Sequence, residues 1–283
     1  MIDDFIPEIW SANILEHLRA VLVYGGPSVV NRDYEGDIAQ AGDTVHITQF
    51  SDPTVKTYTA ETDITVDSIT DDTRALDIDQ AKYFAFDVDD ISRRQALPGW
   101  VESVTRGGAY KLANAIDSFL SNLMYTAVNG TANDVGDVTT DISDNNAYGQ
   151  LVALRTILKN DEVPDAGRFA IVPPEFYAAL LQDNRFIDAS ASADGGAALR
   201  NGFVGRAAGF DIFESTTVPE PTANRWAVIA GHNMATTFAM QLTEVMAVAR
   251  ELRFGDLVKG LNLYGAKVVR AECLAMFTAV VQA

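Results

Sequence analysis

"LPGWVESVTRGGAYKLANAIDSFLSNLMYTAVNG", residues 97–130, sets apolar side chains at Val101, Val104, Leu112, Ile116, Phe119, Leu120 and Leu123. A three-to-four-residue recurrence marks one buried helix face, and Pro98 near the start and Gly130 past the end bound it. The spacing predicts one helix over about 99–128, on the order of 40 Å long at 1.5 Å per residue. That exceeds the usual globular length, so the helix reads as a strut along which other elements lie. Gly107 and Gly108 weaken it and mark a place where it can bend.

The chain changes character on either side of this strut. Upstream, residues 7–24 carry Ile9, Trp10, Ile14, Leu15, Leu18, Val21 and Leu22 at helical spacing behind Pro7, which predicts an amphipathic N-terminal arm in need of a partner surface. Asp33 to Ile91 then alternates Thr, Val and Ile between turn residues, the pattern of β-hairpins. Fifteen of the chain's acids fall there against Lys56, Arg74 and Lys82. Downstream, residues 131–146 are polar and turn-rich and read as a boundary loop. A helix around Tyr148 to Leu158 follows, then a buried strand "RFAIVP" and a helix opened by Pro174. Residues 189–198, "ASASADGGAA", read as a loop of small residues. A strand "RWAVIAG", a short helix near "HNMATTFAM" and an apolar C-terminal part ending in a strand complete the α+β pattern. No internal repeat is visible.

Charge and composition narrow the function. With 39 acids against 21 bases, the 283-residue chain has a formal charge of −18, which opposes an electrostatic grip on nucleic acid or anionic lipid. Its 48% hydrophobic content is enough for a large core. One cysteine, Cys273, has no partner for an internal disulfide. The start, MIDDFIPEIW, is acidic where a signal peptide is basic, and no apolar run approaches the roughly 20 residues a bilayer span needs. A soluble protein that is not exported through a signal peptide is the expectation.

Catalytic patterns do not emerge. Gly202, Gly205 and Gly209 in "LRNGFVGRAAGFDIFESTTVP" (199–219) imitate a phosphate loop. However, the strand-like residues follow the glycines, whereas a dinucleotide fingerprint needs the strand first. Tight turns into a strand over 210–214 explain them. His17, His46 and His232 are far apart, and H-E-x-x-H, C-x-x-C and G-x-S-x-G are absent. The aspartates of 134–144 lack calcium-loop order and read as turn caps. Asp87 and Asp89 share a strand face without forming a recognisable dyad. No catalytic residue, metal or cofactor is expected.

Four stretches, "NRDYEGDIAQAGDTVHI" (31–47), "LDIDQAKYFAFDVDDISRRQA" (76–96), "GRAAGFDIFES" (205–215) and "RFGDLVKGLNLYGAKVVR" (253–270), in this order resemble the major capsid proteins of tailed bacteriophages, which have the Hong-Kong-phage-type shell fold. The resemblance runs from about Val29 to Val281. It implies an N-terminal arm over 1–35, an extended β loop over 36–90, and a spine helix with part of a peripheral domain over 91–130. A mainly axial α/β domain over 131–245 and returning strands over 246–283 follow. It further implies a virion subunit, assembled in the host cytoplasm into hexamers and pentamers of an icosahedral shell around DNA, without sequence-specific DNA contacts or a membrane. A portal and a separate scaffolding protein are implied partners, since the chain shows no long leader before the arm. Lys56 is the only lysine near the loop tip, and no motif identifies a crosslinking partner for it. An enzyme-holding compartment of the same fold, of the encapsulin type, and an acidic α/β enzyme are the alternatives.

Within that reading the acidic loop needs positive charge opposite it, or else simply presents a solvated face. Ser92 to Lys111 and Arg250 to Cys273 are net positive. The expectation is that Glu61, Asp63, Asp67, Asp71 and Asp72 of one subunit lie over Arg93, Arg94, Arg106, Lys111, Arg250, Arg253, Lys259, Lys267 and Arg270 of a neighbour.

Overall fold

Trp100–Val128 is a single 29-residue helix, α1, within a residue of the span its apolar spacing predicts. The structure is a computed structural model that describes residues 22–33, 44–50, 54–58, 63, 65–67, 71–89, 100–142, 146–183, 206–249 and 255–281. The predicted arm helix therefore lies almost wholly outside the described residues. So do Gly202, Gly205 and the small-residue loop 189–198. Along α1, Leu112, Ala113, Ile116, Leu120, Met124 and Val128 are buried at helical intervals. Gly107 and Gly108 stay within the helix, and a Cβ at Gly107 would meet nothing within 4 Å.

Among the described residues the strands form three sheets. The first is a hairpin of β1 (Thr44–Phe50) and β2 (Asp71–Asp77), paired antiparallel from Thr44↔Asp77 to Phe50↔Asp71. The second joins β3 (Gln80–Asp89), β10 (Gly255–Val268) and β9 (Thr236–Ala249) in that spatial order, all antiparallel. The third contains β4 (Asp134–Ile142), β5 (Arg168–Val172), β6 (Arg206–Ala207), β7 (Phe210–Glu214), β8 (Arg225–His232) and β11 (Leu274–Val281). Its strands lie in the order β4-β11-β8-β5-β7-β6. Helices α2 (Ala147–Asn160) and α3 (Pro174–Gln182) pack on β11, where Phe176 meets Phe277 at a 5.7 Å centroid distance. Helix α1 touches β3 and β10 of one sheet and β8 and β11 of another, so it braces both.

The apolar run "RFAIV" is buried at all five positions of β5, as expected of a strand with paired neighbours on both sides. Two expectations fail. Residues 131–146 are not wholly a loop, because 134–142 form β4. Among the described residues β4 is an edge strand paired with β11 alone, and its polar composition hides the strand in the sequence. The short helix near "HNMATTFAM" is a single 3-10 turn, Asn233–Ala235, after which β9 begins. β-Branched Thr236 and Thr237 and the long ladder to β10 outweigh the weak helical spacing.

Gly209 does turn the chain into β7, at φ +87. The nearest atoms to a Cβ there are 3.7 Å or more away on Arg155. Backbone conformation, not space, therefore demands glycine. Gly209→Val should cost about 1–2 kcal/mol, seen as a lower denaturation midpoint with no change in nucleotide affinity. A well-folded variant that lost specific nucleotide binding would restore the phosphate-loop reading.

Candidate functional site

The β1–β2 hairpin is held at both ends. Near its tip the Thr54 amide donates to Asp67 Oδ2 at 3.0 Å, and Lys56 Nζ reaches Thr65 Oγ1 at 3.1 Å and pairs with Asp67. The hydrogen bond from Lys56 holds the Asp67 carboxyl below its ordinary range, helped by the Thr54 amide. At the root, Leu76, Ile78, Ala239, Leu263 and Val269 form a small separate core, and Arg74 donates to the Val269 carbonyl. Gly265 lies so close beneath β2 that an added Cβ would sit 2.3 Å from the Asp77 carbonyl oxygen.

Between these fixed points the tip offers apolar side chains to water. Val55 is 98% exposed, Val66 86% and Tyr58 70%. All three lie on the stretch that joins β1 to β2. A second exposed apolar set lies on the outer face of the three-stranded sheet. Tyr83 stands opposite Leu261, and Val248 opposite Leu257.

The acidic-loop residues divide on inspection. Asp63 is exposed, whereas Asp67 is committed to Lys56 of its own hairpin. Asp71 and Asp72 pair with Phe50 and Gln49 at the tip-side end of β2. Of the basic set, Lys111, Lys259 and Lys267 are exposed on α1 and β10, and Arg270 is half-buried. Arg106 lies on α1. Glu61, Arg93, Arg94, Arg250 and Arg253 lie outside the described residues.

One functional group escaped the reading of the sequence. Asp117, on the core face of α1 and only 3% exposed, accepts from the Val23 amide at 2.9 Å through Oδ2 and from the Gly25 amide at 3.1 Å through Oδ1. Burial pushes this carboxyl up to about 6, against the pull of the segment's backbone amides. Tyr24 is buried beside it, and burial, then the charge of Asp117, raises its phenol. The segment from Leu22 is thus pinned to the spine. At its other end Asn31 joins β9 through Asn31 N to Thr236 O and Phe238 N to Asn31 O, both 2.9 Å. The clue in the sequence was a lone carboxylate inside the apolar stripe next to Ile116.

Asp134 caps the turn after α1, accepting from the amides of Gly130 at 3.0 Å and Gly136 at 2.8 Å, as turn-capping predicts. Among the described residues no group of His, Cys, Asp and Glu is placed to hold a metal ion. No helix among them is long and apolar enough to cross a membrane.

The geometry is a spine helix bracing two sheets beside a hairpin held at its root, and the family comparison says what it belongs to. The family model described as phage capsid protein matches residues 49–277. The chain belongs to the phage capsid protein family. Among solved structures, a chain of Mycobacterium phage Che8 is 31% identical, with 88% of each chain covered and a TM-score of 0.69. The capsid of cyanophage P-SCSP1u is 15% identical over 87% of this chain and 85% of that one, with a TM-score of 0.68. The same fold extends to the SrpI encapsulin of Synechococcus elongatus PCC 7942, at 16% identity, 86% and 84% coverage and a TM-score of 0.54. No curated protein sequence matches the chain. This phage capsid protein is a major structural subunit of the virion shell with the Hong-Kong-phage-type fold, and its family is structural rather than catalytic.

Proposed function

We propose that this capsid protein closes into hexamers and pentamers of an icosahedral shell around phage DNA, and that each hairpin tip seats on a neighbouring copy. The supporting observation is the apolar tip formed by Val55, Tyr58 and Val66 on a hairpin fixed at its root. A directional tip on one subunit and a different surface on the next make a head-to-tail contact, the type that closes rings. Acid–base pairing then plays a secondary part. Asp67 is internally paired, so register between subunits falls to Asp63, Asp71, Asp72 and Glu61 against basic residues of the neighbour. Assembly in the host cytoplasm, a separate scaffolding protein and a portal belong to the same proposal. A net charge of −18 suits a wall that holds DNA without gripping it.

Negative-stain microscopy and sedimentation of the expressed protein, alone and with its genomic neighbours, test this. Val55→Asp with Val66→Asp should cut shell yield at least tenfold while the subunit stays folded, because a charge then enters an apolar contact. Asp71→Lys with Asp72→Lys should reduce yield less and in a salt-dependent way. Normal assembly of the valine pair would remove the tip contact and leave the family assignment standing. The likeness to an encapsulin supports a second reading, a compartment for protein cargo. Nuclease-protected DNA inside purified particles favours the first, and co-purifying enzyme the second.

A further inference from the structure

Two strand-to-strand crossings of the chain join the three-stranded sheet to the six-stranded one, and both are short. One runs from β8 to β9 through the 3-10 turn Asn233–Ala235, the other from β10 to β11 through Val269, Arg270 and the 3-10 turn Ala271–Cys273. The crossings are bonded to each other, because the Ala235 carbonyl accepts from the amides of Val269 at 2.8 Å and Arg270 at 3.1 Å. The hairpin is fastened at the same place, through Arg74 and the Val269 carbonyl. The directions of the three-stranded sheet and of the hairpin therefore both originate at this junction.

One side chain reaches the junction from far away in sequence. Asn133, 8% exposed, donates from Nδ2 to the carbonyls of Glu272 and Leu274, both at 3.0 Å. An amide NH2 has two protons, and here both are used. Its backbone carbonyl accepts from the Met276 amide at 3.1 Å, and the next residue, Asp134, opens the β4–β11 ladder opposite Met276. The Asn133 side chain thus extends that ladder past its end and into the 3-10 turn. Its own position is rigid. The Thr131 amide bonds to the Val128 carbonyl at 3.0 Å and the Asp134 amide to the Thr131 carbonyl at 3.2 Å, so Asn133 is carried on the end of α1.

We infer that Asn133 sets the angle between the two sheets. By holding the carbonyls of Glu272, inside the crossing, and of Leu274, at the start of β11, it fixes the direction in which the chain passes from one sheet to the other. The spine helix that braces both sheets and the crossing that joins them become one unit. The lever is long. β10 has 14 residues, so at about 3.3 Å per residue a rotation of about 5° at the crossing moves its far end by roughly 4 Å, the reach of a side-chain contact. The consequence for assembly rests on the shell reading proposed above: an angle repeated in every subunit becomes the curvature of the shell, and a variable angle becomes a mixture of curvatures. Each sheet has a ladder of its own, Leu274↔Gly231 to Val280↔Arg225 in one and Asp256↔Ala249 to Val268↔Thr236 in the other. Neither sheet needs Asn133 to stay folded.

Residual dipolar couplings of the full-length, unassembled subunit read the angle directly. In the wild type, couplings from β3, β9 and β10 and couplings from β5, β8 and β11 should fit one common alignment tensor. Asn133→Ala should leave each set fitting as well as before by itself while the common fit is lost, and its particles should lose their uniform diameter in electron micrographs. Thr126→Ala removes a hydroxyl bond to the Asn122 carbonyl on the exposed side of α1; as the control it should change neither. Three results overturn the inference: separate tensors in the wild type, a common tensor kept by Asn133→Ala, or loss of fold within either sheet of that variant, since Asn133 would then serve stability alone. Particles of wild-type diameter from a variant whose common fit is lost would leave the angle to Asn133 and cut its link to curvature. Failure of the wild type to form any particle would count against the shell reading, and the couplings would still decide the angle.

Discussion

Gly265→Ala is expected to abolish shell assembly, lowering particle yield by well over tenfold, while the six-stranded sheet and its helices keep their fold. An added Cβ would lie 2.3 Å from the Asp77 carbonyl oxygen and 3.0 Å from the Ile78 Cα. Both are backbone atoms, so no side chain can swing away. The hairpin root must lift from β10, separating Leu76 and Ile78 from Ala239, Leu263 and Val269. Overpacking of this kind costs about 1–3 kcal/mol, and the small root cluster is a local structure of few residues. Most of the damage should appear as a misdirected hairpin. Gly260 provides the control. Its Cβ would meet the Phe84 ring at 2.5 Å, a side chain that can shift, so Gly260→Ala should be milder. Circular dichroism and sedimentation together check the prediction. Normal particles from Gly265→Ala would show that the hairpin root is plastic and that its direction is not what assembly requires.

The legible and illegible parts of this chain differ in the range of the interactions behind them. Helix α1 was readable because its burial repeats every three to four residues along one stretch, and β5 because five consecutive buried positions follow from one short apolar run. The resemblance of four ordered stretches supplied the shell fold, which composition alone did not. The edge strand β4 was hidden because its pairing partner, β11, lies about 140 residues away and its own side chains are mostly polar. At the site, acidity in the loop was plain, but its use was not. Lys56 meets Asp67 only because the hairpin closes, a pairing across eleven residues of sequence that no local pattern announces. Single valines and a tyrosine between polar residues form no periodic pattern, so the exposed apolar tip leaves no signal in the sequence. Asp117 was invisible for a related reason: what it binds are backbone amides, and amides leave no mark in a sequence.

The same logic applies to a fully buried cation, and it yields the second large effect. Arg168 opens β5 with its side chain 1% exposed, although arginine is almost never fully buried without partners. Its Nε donates to the Pro164 carbonyl at 2.8 Å, its Nη2 to the Val163 carbonyl, and Asp165 lies 3.2 Å away at the surface. The α2–β5 connection thus wraps its carbonyls around one guanidinium. Across the ladder, its register partner His232 donates from Nε2 to the Ala166 carbonyl at 2.7 Å while its Nδ1 accepts from the Met234 amide at 3.2 Å. Two buried polar side chains therefore hold one loop of four successive residues. Arg168→Met keeps much of the volume but leaves two carbonyls without donors, at about 1–3 kcal/mol each. For a chain of this size that should lower the melting temperature by roughly 5–15 °C. Arg168→Lys should fall between, because an ammonium on a flexible stem cannot reproduce the planar fork that serves both carbonyls. Asp165→Asn should change little, its carboxylate being exposed and paired also with Lys159 at 2.8 Å. Scanning calorimetry of the unassembled subunit orders the three. A methionine variant as stable as the parent would mean that water replaces the guanidinium at those carbonyls, so that the loop is wetter than its burial implies.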